Sequence, residues 1–429
     1  MNPIPMKFTH AIVAFALLAS SACTGPQSTE TQVITEETKA RIDSTLKALV
    51  DEGLVAGASA LIFEDGQEAY FHATGFADRE AQKPMDRNTL AIIYSMTKPI
   101  TGVALMTLYE KGAFQLDDPL EKYAPEFANM QVFAGMDSVT GEIKLEPLAR
   151  PITIRDITRH TAGFAINPTQ PGLGDLLKAA DAGNPQNTLV QMAEKMGKVP
   201  LMFQPGTQWA YGPSVDVQAF LVERISGKPY GDYVRENVLD PLGMSETRYF
   251  VPESDQDRLS AIYRKEENGT LTQVPDSIAH AFNTREWPMT PGGYGLTSTL
   301  DDYMKFAQML VNGGSYNGVT ILKPETVQLM TTNQLEDSVT ERMFLPSKGQ
   351  VGFGIDFAVR VAPPASAEEN MGEVGEFFWD GAASTLFWVD PKNKLTAVLF
   401  VQIMPFSGQV HKRFRDAVYG PYQEQKSKN

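Results

Sequence analysis

Cysteine is nearly absent: the 429-residue chain holds one, Cys23. That excludes an intrachain disulfide and a thiolate-built metal site. Histidine is scarce too, with five in the chain, and no His-Glu-x-x-His occurs. A metal hydrolase is therefore disfavoured, and neither a metal nor a cofactor is expected. Gly-x-Ser-x-Gly is missing, which argues against a serine–histidine–aspartate nucleophile elbow. There is no Gly-rich phosphate loop. Positive charge is in deficit, with 37 Lys and Arg against 52 Asp and Glu and a net charge of -15. Nucleic acid and anionic lipid surfaces are poor partners for such a chain. What remains is an ordinary globular composition, 42% hydrophobic and long enough for more than one layer.

The apolar run Ala11–Ala19 is too short to span a bilayer. It follows Lys7 and precedes Ser20-Ser21-Ala22, so residues 1–22 read as a secretory signal peptide. Cys23 comes directly after the small residues. It resembles the lipidated first residue of a bacterial lipoprotein, although Ser20 stands where Leu is usual. The plainer alternative is cleavage after Ala22 with a free thiol. Residues 23–34 are polar at first and read as a tether. The expected location is outside the cytoplasm, periplasmic or on the outer membrane.

The folded part is expected over residues 35–425. Strands are predicted at Ala56–Phe63 and Glu68–His72, around the turn Asp65-Gly66. Helical spacing dominates from Thr97 to about Leu310, with examples at Ile100–Glu110, Ile152–Thr158, Val215–Ile225 and Tyr230–Val238. Thr299-x-x-Asp302 has the form of a capping box. Strands return at Phe353–Val361, Gly375–Trp379, Ser384–Val389 and Lys394–Val401, and His411–Tyr419 reads as a last helix. The class is α+β: an antiparallel sheet from both chain ends (about 35–94 and 295–425), flanked by helices, with a helical lobe (about 95–294) inserted. Asn129–Arg150 and Asn333–Lys348 with its continuation Pro363–Glu376 read as variable loops, and the Gly- and Pro-rich Ala162–Gly183 as a segment expected to overhang a site.

Ser95 and Lys98 are three residues apart in Tyr94-Ser95-Met96-Thr97-Lys98. On a helix that spacing shares a face, so an amine can reach a hydroxyl that needs its proton removed. The same spacing occurs at Ser44 and Lys47, within a charged segment that reads as a surface helix. Ser95 instead follows Leu90-Ala91-Ile92-Ile93 and stands at a buried helix start. Tyr211 lies in an aromatic-rich turn, Pro205 to Ser214. Its plain role is packing; beside a lysine it is a candidate base. Trp379-Asp380-Gly381-Ala382 ends one strand. A glycine there marks either a bulge or close approach by another backbone. The N–H of Ala382 could pair with that of Ser95 as an oxyanion hole.

With these go His160-Thr-Ala-Gly163, Asp240-Pro-Leu-Gly-Met244, Pro291-Gly-Gly-Tyr-Gly-Leu-Thr-Ser298 and Phe387-Trp-Val-Asp-Pro391. Together the blocks resemble, in order from about Ser44 to Tyr419, the class C beta-lactamase-like serine hydrolases, and most closely the family VIII carboxylesterases. The resemblance implies the beta-lactamase/transpeptidase-like fold, Ser95 as the acylated nucleophile, and Lys98 and Tyr211 sharing the proton work. Which of the two is the base stays open. It implies that Trp379, Asp380 and Gly381 line the substrate, with Ala382 completing the oxyanion hole. His160 and Gly163 read as structural.

Two departures matter. Pro213 replaces the Asn of the lactamase Tyr-x-Asn, and Trp379 replaces the basic residue of Lys-Thr-Gly. The strand thus lacks a cation for a substrate carboxylate, and Asp380 adds negative charge. A small neutral ester is the expected substrate. The alternatives are a weak beta-lactamase or D-amino-acid peptidase or amidase, and a penicillin-recognising surface module with a residual site. For the anchor, labelling with a radioactive fatty acid should mark the wild-type chain and not Cys23→Ala; equal label on both would remove it.

Overall fold

In the computed structural model, which describes Met1 and residues 32–166 and 170–424, the sheet draws on both ends of the folded chain. The signal segment, Cys23 and most of the tether lie outside the described residues. The tether's last residues do not behave as a tether. The N–H groups of Val33 and Ile34 donate to the Glu64 carboxylate, and Ile34 is buried.

Helix α1 (Glu36–Asp51) begins where the Thr35 hydroxyl accepts the N–H of Thr38, with Glu36 and Glu37 in its first turn. Both features suit a helix N-terminus. Its apolar stripe, Ile42, Leu46 and Leu49, is buried. Ser44 is exposed on the other side and Lys47 pairs with Asp51, so the second Ser-x-x-Lys is a solvated face.

Three strands follow: β1 (Gly57–Glu64), β2 (Gln67–Asp78) and β3 (Lys83–Pro84). The other five come from the C-terminal part: β4 (Val351–Phe353), β5 (Ala358–Arg360), β6 (Phe377–Asp380), β7 (Leu386–Asp390) and β8 (Leu395–Phe400). They form one sheet in the order β4-β5-β6-β7-β8-β1-β2-β3, antiparallel throughout. The seam between the chain ends is β1 on β8, with Ser59 opposite Phe400 and Glu64 opposite Leu395. Every position of β7 and β8 is buried, as expected of strands covered on both faces.

Between the two strand groups lie the helices. α2 (Thr97–Glu110) is buried from Thr97 to Leu108, the mark of a helix enclosed by protein on all sides. It packs on α3 (Ser214–Ser226). α4 (Leu300–Val311) lies on β7 and β8, and α5 (Gly408–Tyr419) lies along α1.

Several details differ from expectation. Asn129–Arg150 is not plain loop: Gln131–Met136 and Ile143–Pro147 form a hairpin. A second hairpin in the helical lobe pairs Tyr263–Lys265 with Leu271–Gln273. The single strand expected over Phe353–Val361 is two, β4 and β5, turned about Asp356 at φ 59°. The Thr299 hydroxyl does cap α4, but the Asp302 carboxylate turns away to Glu246 N–H and Thr247 Oγ1. A reciprocal capping box occurs instead at Thr153/Asp156.

One buried ionic cluster joins β5, β6 and α5. Glu376 Oε1 accepts from Arg360 Nε at 2.9 Å and from Arg415 Nη1 at 2.8 Å, and all three side chains are buried. Removing the carboxylate strands two guanidinium groups away from water. Glu376→Ala is expected to lower unfolding free energy by about 3–5 kcal/mol, read by urea denaturation at neutral pH.

Candidate active site

The chain enters α2 through a short 3-10 turn, Tyr94–Met96, with Tyr94 at φ 45°. A left-handed tyrosine costs about 1–2 kcal/mol, and the bend it makes sets Ser95 at the helix mouth, half-buried. One turn on, the buried Lys98 donates from Nζ to Ser95 Oγ at 3.1 Å and to the Gly293 carbonyl at 2.7 Å. The Gly293 N–H donates in turn to Asp216 Oδ1 at 2.9 Å. This explains the glycines of Pro291–Ser298. A Cβ on Gly292 would lie 2.3 Å from the Val215 carbonyl, and one on Gly293 3.3 Å from Lys98 Nζ. The segment is anchored beside Ser95 by Ile93 N–H to Leu296 O, 3.0 Å.

Tyr211 leans over the lysine from the opposite wall, its ring centroid 4.5 Å from Lys98 Nζ. Its hydroxyl accepts from Trp379 Nε1 at 3.3 Å. Behind it His160 packs against Tyr211, Trp209 and Phe353. Neither imidazole nitrogen has a hydrogen-bond partner among the described residues. His160 braces the Tyr211 turn through its backbone, accepting from Ala210 N–H at 3.0 Å.

β6 brings the third group. A side chain on Gly381 would meet Thr385 Oγ1 at 2.2 Å and the Ile93 carbonyl at 2.7 Å. Glycine is required there because the strand end abuts the chain just before Ser95. The turn is pinned by Gly381 N–H to Thr385 O, 2.9 Å, and by His411, whose Nε2 stands 2.9 Å from the Ser384 carbonyl. The exposed Ala382 N–H donates to no group among the described residues.

Ser95, Tyr211 and Trp379 to Ala382 line one cavity of about 290 Å³. Lys98 lies beneath it, through Ser95. The rest of the wall is Phe344, Ser347, Lys348 and Phe406, none of them singled out by the motifs. Lys348 is ion-paired with Asp380, and both side chains are largely buried. This corrects the charge expected of the site. The strand itself carries no cation, but the neighbouring loop supplies one, and Asp380 is balanced by it. One signal was available: a carboxylate in the apolar run Phe377-Phe-Trp-Asp380 needs a partner if buried. Ala162–Gly183 contributes Phe164, Ile166 and Leu177 to a separate apolar cavity of about 180 Å³ behind Pro213. Among the described residues no His, Cys, Asp and Glu cluster could hold a metal ion.

The beta-lactamase family model matches residues 42–419. Among curated proteins, Protein Rv1367c of Mycobacterium tuberculosis is 33% identical, over 84% of this chain and 89% of its own length. Lovastatin esterase of Penicillium rubens is 28% identical, over 89% of this chain and 98% of its own. Among solved structures, EstCE1, described as a hydrolase with promiscuous acyltransferase activity, superposes with a TM-score of 0.72 at 24% identity. That match covers 90% of this chain and 99% of the other.

Burial dominates the titration of the site's surroundings. It pushes His411 from 6.5 down to about 4 and His160 well below 6.5, the charge of Lys98 adding to the second. Groups with depressed values lose stability as pH falls, because the unfolded chain takes up the proton first. Burial pushes Asp356 well above 3.8, so its contribution is instead lost as pH rises. A variant isolates the histidine. Relative to His411→Gln, the wild type should lose about 2 kcal/mol of stability between pH 6.5 and 5. Parallel urea titrations of the two proteins over that range measure it.

Proposed function

We propose, from the premise that the chain belongs to the beta-lactamase family, that it hydrolyses carboxylic esters through an acyl-enzyme on Ser95. The observation that carries this is the 3.1 Å contact of Lys98 Nζ with Ser95 Oγ, set in a cavity whose added cation is already neutralised and whose mouth is aromatic. Ser95 Oγ attacks the ester carbonyl and its proton passes to Lys98 Nζ, which enters this step as the uncharged amine and is the group in direct contact. The carbonyl oxygen, now negative, takes hydrogen bonds from the Ser95 and Ala382 N–H groups. Tyr211, held by Trp379 and over the lysine, relays the proton to the departing alcohol. Water then attacks the acyl-enzyme and the same groups run in reverse.

Partly exposed Phe344 and Phe406 at the rim favour an uncharged, apolar ester. Pro213 offers no side-chain amide for a lactam acyl group. The esterase among the relatives fits the same reading. Export by the N-terminal segment, with Cys23 as a lipid tether, belongs to the proposal on the sequence argument alone.

Ser95→Ala should abolish hydrolysis of short p-nitrophenyl esters while circular dichroism stays unchanged. Lys98→Ala and Tyr211→Phe should each lower kcat by about 10²–10⁴-fold. Full activity in Ser95→Ala refutes the assignment. Nitrocefin turnover matching ester turnover in the wild type would shift the substrate to amides.

A further inference from the structure

We infer that Lys348 is a carboxylate-recognising cation that Asp380 keeps occupied, so that this one pair sets the site's preference for neutral over anionic substrates. The inference rests on the ester-hydrolase reading of Ser95. Both residues line the cavity that holds the nucleophile. Their side chains are only 8% and 11% exposed. Apart from Asp380, Lys348 Nζ faces aromatic rings: Phe406 at 4.8 Å, Trp379 at 5.1 Å and Phe344 at 5.5 Å from the centroids. It makes no other hydrogen bond among the described residues. An ammonium so enclosed gains some cation–π attraction but needs an anion to offset lost hydration.

The anion it has is placed where a substrate would be. Asp380 stands two residues before Ala382, and both line the cavity. Its other charged-group neighbour is His411, with Nδ1 at 3.9 Å; burial keeps that imidazole uncharged at neutral pH. A substrate carboxylate entering the cavity therefore meets Asp380's charge and finds Lys348 engaged. Without the Asp380 charge, Lys348 is left unpaired and a substrate carboxylate becomes its natural partner. The strand carries no cation; the one cation lining the cavity among the described residues is on the loop and is paired.

The test compares two p-nitrophenyl esters, the neutral butyrate and the anionic monoester of glutaric acid. The wild type should favour the butyrate. In Asp380→Asn the glutarate-to-butyrate ratio of kcat/KM should rise at least 10-fold, and Lys348→Met added to it should erase the gain. Asp380→Gly is the second variant should Asn fold poorly. A ratio within twofold of wild type, or a gain that survives Lys348→Met, overturns the inference. A second readout does not need ester turnover. Free glutarate should slow fluorophosphonate labelling of Ser95 in Asp380→Asn and leave the wild-type rate unchanged; equal protection of both, or of neither, counts against the pair. Loss of butyrate turnover in the wild type would instead strike the ester reading, and the labelling result would still judge Lys348.

Discussion

The hydrogen bond from Lys98 to the Gly293 carbonyl is the joint on which the site is assembled. An amine buried at the start of α2 must find acceptors close by, and here each comes from a different part of the chain. The turn into the helix offers Ser95, the segment before Leu296 offers a carbonyl, and the loop before α3 offers the face of Tyr211. Gly292 follows from this, since the backbone passes Val215 without room for a side chain, and a Cβ on Gly293 would crowd Asp216 and Lys98. Asp216 completes the clamp by holding the same residue, Gly293, through its N–H. The surroundings of Ser95 are thus fixed by backbone proximity more than by a network of side chains.

Much of this was legible in the residues. The Ser-x-x-Lys at 95–98, the Tyr211 turn and the Trp379–Ala382 strand end point to one site, and the fold gathers them around one cavity. The large sheet from both termini follows from strand patterns at the two ends. What escaped was long-range pairing that leaves no local pattern. Lys348 has no periodicity or motif around it, and only the demand of Asp380 for a partner hints at it. The hairpin at Gln131–Pro147 has one weakly apolar strand, Ile143–Pro147, largely exposed, so alternation is faint. At Thr299 the spacing was right, but Asp302 satisfies Glu246 and Thr247, whose nearness depends on tertiary structure.

His160 and His411 show how burial decides a histidine's work. Both rings are enclosed, one among aromatics without a hydrogen-bond partner and one against the Ser384 carbonyl. Each supports a turn that carries a functional group: the Tyr211 loop in one case, the Gly381–Ala382 turn in the other. Neither is placed to exchange protons with a substrate, in keeping with the proposed division of proton work between Lys98 and Tyr211.

The seam between β1 and β8 also governs timing. Ser59 cannot meet Phe400 until nearly the whole chain is available, and contacts this distant in sequence close slowly. Until then β1 is an unpaired, apolar edge, a liability for sticking to other chains. The strand end that carries Ala382 also arrives late, so a growing chain holds Ser95 long before it holds the opposite wall of the cavity. Late closure keeps the cavity at Ser95 without one of its walls until synthesis is almost done.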